Sequence, residues 1–229
     1  LAVSSGGWEG PNNTTAQYPG LLRIFDFKKG QLLKRISGSY AIYLKADFLS
    51  NEDTVLVLQG LVIAADCSSL YIYNWREDKI QKNIINCTTP GKNFVSSFNL
   101  FRNKSKILFA IGNNIARNSY DPVDNKFSIN IFNINNNRIE KKIIDNVSFK
   151  PENISLSENK QFICCFGIKI KDTNGNLKKD IIIIRYDLNK ITGIIEGNNS
   201  EISSFCFITG ITQILAGNNK GEVKFYNLN

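Results

Sequence analysis

The chain has 229 residues, 42% of them hydrophobic, a net charge of +8 and no histidine. That length can bury a sizeable core, and no run approaches the roughly eighteen uninterrupted apolar residues that a membrane-spanning helix needs. Without histidine, Ser-His-Asp and Cys-His nucleophile activation are excluded, as is every histidine-bearing zinc site.

In chain order, "LAVSSGG" is an apolar run ending in small turn formers, which reads as a strand. A long polar connection, "WEGPNNTTAQYPG" (Trp8 to Gly20), leads to "LRIFDF" (Leu22 to Phe27). There apolar and polar residues alternate as on a strand with one buried face. "KKGQLLKRI" then supplies a polar turn and another strand. The same order returns with "LVIAADCSS", "LYIYNW" and "REDKIQKNII", and again with "ILFAIGNN", "INIFNI" and "NNNRIEKKII". A fourth copy runs "FICCFG", "IIRYDL", "LNKITGII", and a fifth "QILAGNNKG", "VKFYNL". Ahead of the fifth, "ISSFCFI" offers one more strand.

The central phrase places Asp26, Asn74, Asn133, Asp187 and Asn227 at intervals of 40 to 59 residues. At those positions a carboxylate or amide caps the turn that follows. The fourth copy departs from the pattern, with Arg185 where the others carry an apolar residue. "DIIIIRYDL" reads as a strand buried on both faces. Self-similarity at this period, with no helical spacing of apolar residues, predicts an all-β repeat protein. The units fall at about 1–38, 39–86, 93–145, 147–196 and 200–229. Each is an antiparallel meander, so the expected fold is a β-propeller of four-stranded blades, about five in this chain, forming one domain over 1–229.

These phrases resemble the Trp-Asp (WD) repeat β-propellers across nearly the whole chain. In place of the paired Trp-Asp stand Phe25-Asp26, Tyr73-Asn74, Phe132-Asn133, Tyr186-Asp187 and Tyr226-Asn227. The family's Gly-His step is missing, so its buried Asp-His-Ser-Trp network cannot form. The resemblance implies a non-catalytic scaffold with protein partners in a multi-subunit assembly, and no cofactor. The first unit opens on its second strand and the last stops at its third. The expectation is therefore a part of a larger, seven-bladed propeller; the alternative is a compact five-bladed ring.

Five cysteines without regular spacing read as structural, reduced thiols, and hence as a cytoplasmic or nuclear protein. The basic residues are scattered in pairs such as Lys28-Lys29, Lys141-Lys142 and Lys178-Lys179, and none forms a block of like charge. That favours solvated rims over a nucleic-acid groove. "PGKNF" lacks both the earlier glycine and the hydroxyl of a phosphate loop. "LFRNKSK" (Leu100 to Lys106) carries Arg102 alone where a phosphoinositide-binding propeller has paired arginines, so the bidentate clamp is incomplete. A phosphoinositide- or nucleic-acid-binding propeller using the basic surface remains the alternative to a scaffold.

Three long stretches lengthen the same type of connection, between the second and third strands of their units: Trp8 to Gly20, Ile115 to Lys126 and Ile168 to Asp180. A propeller projects them from one face. The expected partner surface carries Trp8, Tyr18, Tyr120, Lys169, Lys171, Lys178 and Lys179; no catalytic or metal-binding residue is expected.

Overall fold

Each recurring phrase lies along one strand of a separate antiparallel sheet. The computed structural model describes residues 2–6, 20–38, 41–61, 64–86, 94–113, 126–171, 177–197 and 202–228, which form eighteen strands in five sheets. The first sheet holds β1 (Ala2–Gly6), β2 (Gly20–Asp26) and β3 (Gln31–Gly38). The second holds β4 (Ala41–Phe48), β5 (Thr54–Leu61), β6 (Ala64–Asn74) and β7 (Lys79–Ile85). The third holds β8 (Phe94–Leu100), β9 (Lys106–Asn113), β10 (Lys126–Asn133) and β11 (Arg138–Val147). The fourth holds β12 (Lys150–Leu156), β13 (Phe162–Lys171), β14 (Leu177–Arg185) and β15 (Lys190–Ile195). The fifth holds β16 (Ile202–Phe207), β17 (Gln213–Asn218) and β18 (Val223–Asn227). Strand order follows the chain in every sheet, as in the blades of a β-propeller. The chain divides into two compact units, with β1 to β7 in the first and β9 to β18 in the second; the boundary falls within β8.

In the first unit, Leu22 and Ile24 of β2 pack with Val55, Val57, Tyr71, Tyr73 and Trp75. In the second unit the fourth sheet is covered on both sides. Ile182 and Ile184 enter a cluster with Leu108, Ile129, Ile131 and Phe149, whereas Ile181 and Ile183 enter one with Phe205, Ile214 and Ala216. The two-faced burial expected of "DIIIIRYDL" is thus realised, because successive side chains of a strand point to opposite faces. Burying an isoleucine fully contributes about 1.5–3 kcal/mol. Strands β6 and β10 are likewise buried along most of their length, beyond the one-faced alternation read from the sequence.

Cys164 and Cys165 are free and buried, and desolvation pushes both thiols well above their ordinary value. Cys206 is free and exposed. Cys67 corrects the expectation of uniformly reduced thiols, since it is disulfide-bonded.

The turn-capping role of the repeated Asp or Asn is seen directly. Asp26 Oδ1 accepts the backbone N–H groups of Lys28 and Lys29 at 3.0 and 3.1 Å. Asn74 Oδ1 accepts those of Arg76 and Glu77, both at 3.0 Å, and Asn133 Oδ1 those of Asn135 and Asn136 at 3.0 and 3.4 Å. Four residues after each cap the backbone turns left-handed, at Gly30 (φ 63°), Asp78 (55°) and Asn137 (56°). Gly, Asp and Asn are the residues that tolerate that conformation.

The fourth copy requires a correction. Tyr186 N donates to Gln161 O at 2.8 Å, as Trp75 N does to Asp53 O and Ile134 N to Ser105 O. Asn189 is again left-handed, at φ 50°. The capping position is therefore Arg185, and Asp187 lies two residues further on, inside the turn. Arg185 restores the closure another way, forking onto Asp187 with Nε–Oδ1 3.0 Å and Nη2–Oδ2 2.8 Å. A bidentate ion pair has replaced a side-chain-to-backbone cap.

Two predictions follow from these turns. Asn133→Ala should lower the unfolding free energy by about 1 kcal/mol in urea titration, the net worth of a hydrogen-bonded cap. The Arg185 fork holds the Asp187 carboxyl below its ordinary value of 3.8, and the Tyr73 hydroxyl followed by Lys34 does the same to Asp78. A depressed carboxylate contributes stability that is complete above its ordinary value and is lost as pH falls through the folded one. The thermal midpoint should accordingly hold steady from pH 7 to 5 and fall below about pH 4.

Candidate functional site

The second-to-third strand connections meet the structure most fully at β13 and β14. The stretch read as a connection, Ile168 to Asp180, is strand at both ends, and only 172–176 lies between. Pairing of β12 with β13 stops at Lys150↔Ile168, and pairing of β14 with β15 at Ile181↔Ile195. Yet β13 and β14 continue to pair through Ile170↔Lys178 and Lys171↔Leu177. Among the described residues, the two strands beyond their neighbours pair only with each other, an arm at one end of the fourth sheet. Lys169, Lys171 and Lys178 sit on this arm, and the register shifts between Ile168 and Ile170, around Lys169.

Lys179 is at the base of the arm. Its Nζ pairs with Glu152 Oε2 at 3.1 Å and stands 5.7 Å from the Phe166 ring centroid. Its charge is therefore partly committed to its own sheet. The structure thus brings the four predicted lysines onto the paired strands β13 and β14. Trp8, Tyr18 and Tyr120 lie outside the described residues, as do 7–19 and 114–125 around them.

At the opposite end of the same sheets are the turns between first and second strands. Phe101, Ser157 and Ile208 each open a five-residue turn, and their backbone N–H groups donate to the carbonyls of Lys106, Phe162 and Gln213 at 2.9 to 3.0 Å. Leu49 repeats the arrangement in the second sheet, donating to Thr54 at 3.0 Å. Ser157 reinforces its turn: the hydroxyl donates to Asn159 Oδ1 at 2.8 Å and accepts from the Gln161 and Phe162 N–H groups at 3.1 and 2.9 Å. That hydroxyl is occupied in closing the turn and is not poised as a nucleophile.

The three turns of the second unit surround a depression of about 310 Å³. Arg102, the residue of the incomplete paired-arginine string, is ion-paired with Glu158 across it. Sequence reasoning missed this grouping, since the residues lie about fifty apart and converge only through the repeat. The aligned turn pattern was the available signal. A second depression, about 420 Å³, lies between β15 and β17–β18, with Glu196, Glu222 and Lys224 on its walls. The Asn218 amide donates to Glu222 Oε2 there at 2.8 Å.

The successive antiparallel sheets, three of four strands and two of three among the described residues, define a β-propeller. Solved structures agree. The chain matches the Dos1 propeller with a TM-score of 0.63 at 10% identity, covering 91% of this chain and 51% of that one. It matches the β-propeller domain of Myceliophteria thermophila Cps50 (Swd1) with a TM-score of 0.61 at 11% identity, covering 93% of this chain and 65% of that one. At such identities the likeness is one of fold, and the chain spans about half to two thirds of these propellers' length. No protein-family model and no curated protein sequence matches the chain.

Proposed function

We propose that this protein is a non-catalytic propeller scaffold of degenerate Trp-Asp-repeat type that binds protein partners within a larger assembly. One observation carries the reading. A basic two-stranded arm extends past a sheet whose two faces are buried, so a mobile search for the partner is replaced by a preformed projection. Lys169, Lys171 and Lys178 on that arm fit an acidic partner surface. Arg102, already paired with Glu158, does not offer the twin guanidinium clamp that a phosphoinositide headgroup would call for.

The test is affinity capture from the native cell with two variants. In one, Lys169, Lys171 and Lys178 are reversed to glutamate. In the other, 8–19, 115–125 and 172–176 are replaced by short Gly-Ser links, which cost little in loop-closure entropy. Both should keep the wild-type circular dichroism spectrum and lose the captured proteins. Unchanged capture contradicts the proposal, and capture abolished by nuclease treatment transfers the arm to nucleic acid.

A further inference from the structure

The depression between the first-to-second strand turns has the build of a site for one side chain and its neighbours. Its floor is apolar: Leu100, Phe101, Leu156, Phe207 and Ile208, contributed by three successive sheets. Its rim is polar, with Arg102, Glu158, Lys160 and Thr209. At about 310 Å³ it is at the small end of ligand pockets, which run from about 300 to 1,000 Å³, so it suits an anchor residue better than a large cofactor.

Charge decides what would flank that anchor. Arg102 and Glu158 neutralise each other across the rim, their side chains 84% and 41% exposed. Lys160, also on the rim, has no such counterpart among the described residues. Lys104 and Lys160 hold the same place, fourth of five, in their turns and both are left-handed, at φ 52° and 57°. Their positions are therefore set by the turn itself. The rim is net positive above an apolar floor.

We infer that this depression docks a short acidic segment of a partner protein, inserting one bulky apolar side chain between the turns while a flanking carboxylate meets Lys160. The site lies at the end of the fourth sheet away from the arm, since β13 begins at one turn and finishes in the other. It belongs to the same scaffold reading, yet its failure and the arm's are separately visible.

The probe is a fluorescein-labelled peptide, Asp-Glu-Leu-Phe-Asp-Glu, followed by fluorescence anisotropy against the purified chain. Saturable binding is expected, weakened at least tenfold when Leu-Phe is replaced by Ala-Ala and at least tenfold by Lys160→Glu. Lys28→Glu makes the same charge change on a turn of the first unit and should leave binding unaltered, as should the arm reversal. Binding should also weaken as salt rises from 50 to 500 mM, because the contacts are exposed. Absence of saturable binding overturns the inference, and so does equal binding of the Ala-Ala peptide or insensitivity to Lys160→Glu. Concentration-dependent self-association that Lys160→Glu abolishes overturns it in favour of a second copy.

Discussion

Gly167→Ala should destabilise the second unit by about 3 kcal/mol or more, enough to leave much of it unfolded at physiological temperature if the unit has ordinary stability. Gly167 stands opposite Pro151 in the β12–β13 pairing. A Cβ there would come 2.0 Å from the Lys150 carbonyl oxygen and 2.9 Å from Pro151 Cα, both backbone atoms. Backbone cannot rotate aside as a side chain can, so β12 must shift away from β13. The register already breaks between Pro151 and Asn153, so the strand has little pairing to spare at this end. Chemical denaturation should show the loss, with Gly193→Ala as the comparison. At Gly193 the nearest atom is a flexible Ile183 side-chain carbon at 3.3 Å, and the loss should stay below about 1.5 kcal/mol.

Phe149→Ala should cost about 3–5 kcal/mol, the range for emptying a buried aromatic site. Phe149 belongs to no strand: it lies between β11 and β12, where the chain leaves one sheet for the next, and is 2% exposed. It fills the space among Ile129, Ile131, Ile154 and Ile182. Those residues are held by two hydrogen-bonded sheets and cannot collapse into the vacancy. Phe149→Leu, keeping most of the volume, should recover more than half of the loss in the same titration.

Phe149 also shows where the sequence was silent. The third strands were legible because their alternation and caps recur, and Asp26, Asn74 and Asn133 do in the structure what their position suggested. The first strands β4, β8 and β12 were not, although β16 was. Lys45 and Asp47, Ser96 and Ser97, and Glu152 and Asn153 interrupt their apolar pattern. β4 and β12, paired on one edge only and partly exposed, are under weaker pressure to alternate cleanly, whereas in β8 the polar Ser97 is itself buried and hides a core strand. The shifted fourth copy misled for another reason. Tyr186-Asp187 imitates the aromatic-acid pair, but the turn geometry is satisfied by Arg185 instead, a substitution visible only in hydrogen bonds.

Lys169, Lys171, Lys178 and Lys179 were singled out by their connection type, and the structure places them on β13 and β14. That they would extend two strands, and that Lys179 would turn to Glu152, depended on pairing between distant residues. The turn depression escaped because its residues are ordinary turn and strand-end residues taken singly. They become a site only where Phe101, Ser157 and Ile208 open equivalent turns in adjacent sheets.

The most direct measurement is lysine-reactive cross-linking of the captured assembly, read by mass spectrometry. If the arm is the partner surface, cross-links to partner proteins will concentrate on Lys169, Lys171 and Lys178, and will vanish when 172–176 is shortened. Cross-links confined to lysines of the fourth strands, such as Lys79, Lys82, Lys141 and Lys142, with none from the arm, would contradict it.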